Sequence, residues 1–145
     1  MEADVTDMAA VQSVIDHTVA KFGRVDVLFN NAGIMPVNNL SELAHQEWQQ
    51  MLDINVKGVL NGIAAALPVM RKQKFGHVIS TSSVLGYEVL PGYAAYSGTK
   101  FAVRAIMEGL REEERQNGIK TTVIAPGSVK QNCLIQLIIK KFVKV

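Results

Sequence analysis

Met8, Val11, Ile15, Val19 and Phe22 recur every three or four residues, the spacing of one helical face, and predict a helix over about 8–22. Asp7 stands where an N-cap accepts backbone N–H groups, and Gly23 where a helix ends. Residues 25–29 form a short apolar run, read as a buried strand that ends in the turn residues Asn30, Asn31, Ala32 and Gly33. Ser41 is the expected cap of a helix running through Trp48 to about 53. Val56, Leu60, Ile63, Leu67 and Met70 mark the inward face of a second helix, about 56–73, which Pro68 should bend and Gly76 should follow as a breaker. Residues 78–82 read as a second strand and 84–95 as a loop holding Gly86, Pro91 and Gly92. A helix over about 96–116, with Phe101, Ala105 and Leu110 inward, precedes Gly118 and a third strand, 119–124, stopped by Pro126 and Gly127.

Short apolar strands alternating with long helices predict an α/β fold, a parallel sheet flanked by helices. Ligands of such sheets bind beyond the carboxyl ends of the strands. Asn30–Gly33, Ser82 with Ser83, and Pro126 with Gly127 all fall at that edge.

Composition narrows the class further. A chain of 145 residues, 48% apolar and 19% charged, has the make-up of one folded domain rather than a disordered segment. The net charge of +2 is unevenly spread. Residues 1–114 hold all 13 acids and 9 bases; residues 115–145 hold 6 bases and no acid. Basicity confined to one end is not the basic face of a nucleic-acid binder, so no nucleic-acid partner is expected. A single cysteine, Cys133, excludes an intrachain disulfide and a multi-cysteine metal site. His17, His45 and His77 lack ligand spacing, so no metal is expected. No apolar run reaches the roughly 18 residues that cross a bilayer, and the first residues lack a signal-peptide pattern. A membrane is therefore not an expected partner, and a cytoplasmic location is. The tail, residues 130–145, is basic and apolar and reads as an added edge strand or a short amphipathic helix.

Tyr96 and Lys100 are four apart on a predicted helix and share a face. An ammonium beside a phenol favours the phenolate, which turns tyrosine into a usable proton donor and acceptor. A surface tyrosine beside a solvated lysine has the same spacing, so the pair gains meaning from its company. Ser83 lies 13 residues before Tyr96 at the end of a strand, and Asn55 precedes an apolar helix.

Together these stretches resemble the short-chain dehydrogenase/reductase family. The match rests on Asp4-Val5-Thr6-Asp7, Asn30-Asn31-Ala32-Gly33, the run Leu52-Asp53-Ile54-Asn55-Val56-Lys57-Gly58, Ile79-Ser80-Thr81-Ser82-Ser83, Tyr96-Ser97-Gly98-Thr99-Lys100 and Ile124-Ala125-Pro126-Gly127, in family order. The resemblance implies part of a Rossmann-like doubly wound sheet over 1–129, with 130–145 as an unmatched tail. It implies hydride transfer between NAD or NADP and a small alcohol/carbonyl substrate. Tyr96 then matches the acid/base, Lys100 the residue that tunes it and holds the nicotinamide ribose, Ser83 the hydroxyl that steadies the substrate oxygen, and Asn55 the residue that positions a relay water. Asp4 and Val5 match the adenine contacts, and Asn31, Ala32 and Gly33 the adenosine wall. Pro126 and Gly127 match the turn beside the nicotinamide. Ser82 is the other local hydroxyl; Ser97 and Thr99 read as helix-start residues and Trp48 as a packing residue. Homo-oligomers through the two long helices are expected of full-length members.

Two features depart from the family pattern. The Thr-Gly-x-x-x-Gly-x-Gly turn that cradles a pyrophosphate is nowhere in the chain. Lys130 and Gln131 stand where a threonine is usual. Poor dinucleotide binding by the chain alone is therefore expected, and the alternative reading is a non-catalytic remnant or scaffold of such an enzyme.

Overall fold

The computed structural model describes residues 2–127, so the expectations for the tail 130–145 lie outside the described residues. Helix α1 spans Met8–Phe22, strand β1 Val27–Asn30, and helix α2 His45–Met51. A π-helical segment, Leu52–Lys57, joins α2 to α3, Gly58–Gln73. Strand β2 is Gly76–Thr81, α4 is Ala94–Glu114 and β3 is Ile119–Ile124. The strands are parallel in the order β1-β2-β3. The α/β fold class read from the sequence is the one observed.

Local chemistry explains the element ends. Asp7 caps α1 by accepting from the N–H groups of Ala9 and Ala10, and Gly23 closes it with its N–H on the Val19 carbonyl. Strand β1 starts later than expected because the Gln73 side chain takes both backbone groups of Val25, at 2.9 and 2.8 Å. Ser41 is not the cap of the next helix. Asn39 and Glu42 form a reciprocal box around the short 3₁₀ turn Leu40–Glu42, and α2 begins only at His45. Pro68 is exposed inside α3 and leaves its helical assignment unbroken.

The alternation of burial along the strands shows where the helices lie. Leu28, Asn30, Val78 and Ser80 are buried, while Val27, Phe29, His77 and Ile79 are half-buried. The crossovers β1–α3–β2 and β2–α4–β3 advance in one direction, so the right-handed rule puts both helices on one face. Ser80 accordingly meets Met107 of α4, and Asn30 lies against Gly62 of α3. Val11 and Ile15 of α1 join Leu28, Ile63, Met70, Val103 and Met107 in one core. Three residues expected inward are exposed: Leu60, Phe101 and Ala105. Leu110 is inward as expected, and the stripe of α4 reaches it through Val103 and Met107, continuing in three- and four-residue steps from the buried Tyr96 and Lys100.

From His45 to Gln73 the helical stretch covers 29 residues and is long and apolar enough, by length and composition, to cross a membrane. In the fold 44% of its most apolar window is buried. The far ends of α3 and α4 are clasped by Arg71, whose guanidinium grips both oxygens of the fully buried Glu114 carboxylate; Asn117 adds a bond at 2.9 Å. Those bonds hold the Glu114 carboxyl below its usual pKa, the Arg71 bond contributing most.

Gly23 and Gly118 both adopt left-handed backbone, with φ of 77° and 72°. A Cβ on Gly23 meets nothing within 4 Å, whereas one on Gly118 would run into the Lys74 carbonyl oxygen. Gly23→Ala should therefore cost about 1 kcal/mol and Gly118→Ala more than about 2 kcal/mol. Urea denaturation checks this; equal losses would show that the contact with Lys74 is without effect.

Candidate active site

The three strands end side by side, at Asn30, Thr81 and Ile124, and the turns beyond them are sewn together. Ser82 N donates to Ile124 O at 2.8 Å, Val84 N to Pro126 O at 3.1 Å, and Thr81 Oγ1 to Asn31 Oδ1 at 2.8 Å. A cavity of about 450 Å³ opens at this edge. Asn31, Gly33, Ser82, Ser83, Tyr96, Lys100, Pro126 and Gly127 line it on one side. Met35, Leu85, Leu90 and Tyr93 line it on the other.

Helix α4 brings Tyr96 and Lys100 into this cavity one turn apart. Tyr96 is 9% exposed and Lys100 5%. The Lys100 ammonium donates to the Thr81 carbonyl at 3.0 Å and lies 5.6 Å from the centre of the Tyr96 ring. Among the described residues no carboxylate forms a salt bridge with it. Burial without a counter-charge disfavours the ammonium and pulls Lys100 down to about 8. At neutral pH it remains charged, in a cavity whose other charged lining residue among those described is Glu88.

The two neighbouring serines differ. Ser82 turns its hydroxyl away and donates to the Lys100 backbone carbonyl at 3.1 Å. Ser83 caps a 3₁₀ turn, Val84–Gly86, and its oxygen accepts from Leu85 N at 3.2 Å, with its own hydrogen directed to no acceptor among the described residues. Gly86 permits the turn to sit on α4, since a Cβ there would lie 3.1 Å from the Lys100 carbonyl oxygen and against Ser82 Oγ.

Asn55 is fully buried in the π-helical segment. Its amide is saturated: Oδ1 accepts from Ile34 N at 2.8 Å, and Nδ2 donates to Ile34 O at 2.9 Å and Thr99 Oγ1 at 3.1 Å. The side chain therefore fixes the turn after β1 and ties it to α4. Gly33 fits closely here: a Cβ would lie 3.2 Å from Asn55 Oδ1, which would have to give slightly, and 3.4 Å from Lys100 Nζ.

Asp4, Val5, Ala32 and Gly33 line a second cavity of about 200 Å³, which shares Gly33 and Ile34 with the first. One oxygen of Asp4 accepts from Thr6 N and Thr6 Oγ1, both at 2.8 Å, and these bonds, the backbone one foremost, lower its pKa. The Val5 carbonyl is held by Asn61 Nδ2 at 2.8 Å. The catalytic and cofactor residues expected from the sequence thus lie along one edge, in the two joined cavities or, for Asn55, directly behind them.

Sequence reasoning missed the scaffolding. Thr99, read as a helix-start residue, holds Asn55. Asn61 had a usable signal, a polar residue on the buried side of an apolar helix. Trp48 packs on the cluster of Met51, Leu85 and Tyr96, as expected of a packing residue.

A parallel three-stranded sheet with crossover helices, and polar residues gathered past its carboxyl edge, defines an α/β protein of Rossmann type. The chain belongs to the short-chain dehydrogenase family, whose model matches residues 1–138. An oxidoreductase of Staphylococcus saprophyticus is 54% identical over 130 residues, covering 88% of this chain and 53% of that protein. A short-chain dehydrogenase structure from Streptomyces avermitilis superposes with a TM-score of 0.85 at 36% identity, covering 92% of this chain and 50% of the other. A gluconate 5-dehydrogenase from Burkholderia cenocepacia, in complex with NADP and tartrate, gives a TM-score of 0.85 at 32% identity, over 88% and 50%. The chain spans about half the length of the curated relatives it matches.

The buried Lys100 should show in the stability of the fold. Unfolded lysine titrates near 10.5 and the folded residue near 8, so between these values the unfolded chain holds the extra proton. Stability contributed at this site should therefore rise from pH 8 to pH 10.5, by about 3 kcal/mol at most. Lys100→Met removes that slope, while the lost bond to Thr81 adds an offset that does not vary with pH. Urea unfolding of both proteins across this range is the check; parallel curves would mean that Lys100 titrates normally.

Proposed function

We propose that the chain is the catalytic part of an NAD(P)-dependent oxidoreductase that interconverts an alcohol and a carbonyl, with Tyr96, Lys100, Ser83 and Asn55 as its working residues. The observation that carries this reading is the convergence of Tyr96, the charged Lys100 and the outward hydroxyl of Ser83 on one cavity. When bound, NAD or NADP accepts or supplies the hydride. The tasks left to the protein are proton transfer and orientation. Tyr96 takes the alcohol proton as the hydride leaves the carbon, and returns it in the reverse direction. Lys100, positively charged below about pH 8, favours the phenolate that this requires. Ser83 donates to the substrate oxygen, a role Ser82 cannot fill because its hydroxyl is turned to α4. Asn55 positions a relay water beside them.

The cofactor residues fit a dinucleotide in one respect that does not depend on likeness. Two cavities meet at Gly33, where a side chain would close the gap to Asn55 and Lys100. Asp4 and Val5 with Asn31, Ala32 and Gly33 then serve the adenosine end, and Tyr96, Lys100, Pro126 and Gly127 the nicotinamide end. The dehydrogenase-like neighbour with NADP supports the cofactor class. The non-catalytic alternative has no comparable observation in its favour. A cytoplasmic location goes with this proposal.

Self-association is the second part of the proposal. Leu60 and Phe101, 46% and 40% exposed, with Ala105, give the two long helices an outward apolar face that the sheet does not use. Sedimentation velocity reads this directly: Leu60→Glu with Phe101→Glu should shift a dimer to monomer, and a parent chain that is already monomeric at micromolar concentration rules it out.

For the chemistry, Tyr96→Phe in the full-length protein should lower NAD(P)-dependent alcohol oxidation by about 10²- to 10⁴-fold with the melting temperature unchanged. Turnover retained in that variant removes Tyr96 from the proton-transfer step.

A further inference from the structure

The substrate side of the large cavity carries a charge that none of the roles above uses. Beyond Ser83 and Tyr96 the wall is built by the segment from Val84 to Tyr93 and by Met35. Met35, Val84, Leu85, Leu90 and Tyr93 make it apolar, and Glu88 is the single carboxylate on it among the described residues. The Glu88 side chain makes no salt bridge or hydrogen bond to any described residue, so its charge faces solvent and cavity. Among the described residues no cation lines this lobe apart from Lys100, which is turned to Thr81.

The neighbouring cation is held elsewhere. Arg104, two turns along α4 from Tyr96, donates from Nη1 to the Gly86 carbonyl at 2.7 Å and stacks 3.6 Å from the centre of the Tyr87 ring. These contacts pin the wall to α4 immediately before Glu88 and leave the Arg104 charge outside the cavity lining. The wall is therefore fixed in place, apolar, and negative at one point.

We propose that this lobe selects apolar alcohols and ketones that are neutral or carry an ammonium group, and disfavours carboxylates and phosphates, with Glu88 as the residue that sets the preference. The inference rests on the oxidoreductase reading for the reaction, and on the cavity alone for the charge. A carboxylate ligand entering it would meet a like charge in a wall whose described residues offer no cation but Lys100, which is bonded to Thr81. An ammonium group on the same frame would find in Glu88 a partner that the protein leaves unpaired. An exposed pair of this kind shifts affinity by up to about fivefold.

Three probes of one frame separate the charge from the shape: 1-phenylethanol, its 4-aminomethyl derivative and its 4-carboxylate. Trp48, the single tryptophan, packs against the cluster of Tyr96 and Leu85, so its fluorescence reports occupancy without turnover. At pH 7 and low salt the amine should bind about three- to fivefold more tightly than the neutral alcohol, and the carboxylate more weakly by a similar factor. Glu88→Gln should bring all three within about twofold while leaving the neutral alcohol unchanged. A carboxylate that binds as well as the amine overturns the proposal, as does an order that survives Glu88→Gln or saturable binding by none of the three. Assay with NADP separates the two claims. Probes that bind in the expected order but are never oxidised count against the oxidoreductase reading and leave the charge selection standing. Oxidation with the carboxylate preferred does the reverse.

Discussion

The burial of one ammonium group organises this structure. Lys100 Nζ reaches the carbonyl of Thr81, the last residue of β2, and so fixes α4 against the end of the sheet. A buried cation without a carboxylate is costly, and only close packing around it keeps the geometry. The packing is visible on every side. Gly33 lies close beside Nζ, Gly86 lies on the Lys100 backbone, and Ser82 bonds the Lys100 carbonyl. Tyr96 and Arg104 occupy the adjacent turns of the same helix. The phenol and the guanidinium that holds the cavity wall are thus placed by a single anchored element. The charge that is expensive for folding is the one the proposed chemistry needs.

A second layer of polar residues carries that anchor to the rest of the chain. Asn55 binds both backbone groups of Ile34 and the hydroxyl of Thr99, linking the turn after β1 to α4. Asn61 holds Val5, and Asn30 reaches Ser80 across the sheet. Each is buried, and each would be a liability without its partners. The π-helical stretch at Leu52–Lys57 belongs to the same logic. Widening one turn rotates Asn55 to the site while α3 continues inward with Val59 and Ile63. The far ends of the helices are tied independently, by Arg71 and Glu114, so the site edge and the opposite edge are held by different kinds of bond.

Periodicity made most of this legible. The helices, the strands and the parallel arrangement follow from apolar spacing and from Gly and Pro punctuation. Asp7 and Gly23 end α1 where their chemistry says they should. The misses have physical causes. Val25 looks like a strand residue, and its backbone would pair in a ladder if Gln73, 48 positions away, did not occupy it. Ser41 looks like a cap, but Asn39 and Glu42 satisfy each other first. Leu60, Phe101 and Ala105 look inward because an apolar stripe does not say which partner covers it. The residues of the site were legible as a set, since they recur in order at one edge. The bonds that place them were not, because side-chain partners far apart in sequence leave no periodic trace.

That contrast explains why Asn55 and Ser82 were harder to read than Tyr96 and Lys100. The tyrosine and lysine act on one helix face, where four-residue spacing is itself a geometric statement. Asn55 and Ser82 work across elements, and their donors and acceptors are backbone groups that every residue has. A serine that donates to a carbonyl and a serine that faces a ligand have the same letter. Only the position of Lys100 distinguishes them, by placing its carbonyl within 3.1 Å of Ser82 and leaving Ser83 to the cavity. The division of labour between adjacent hydroxyls is therefore a consequence of where α4 docks, and α4 docks where its buried ammonium finds an acceptor.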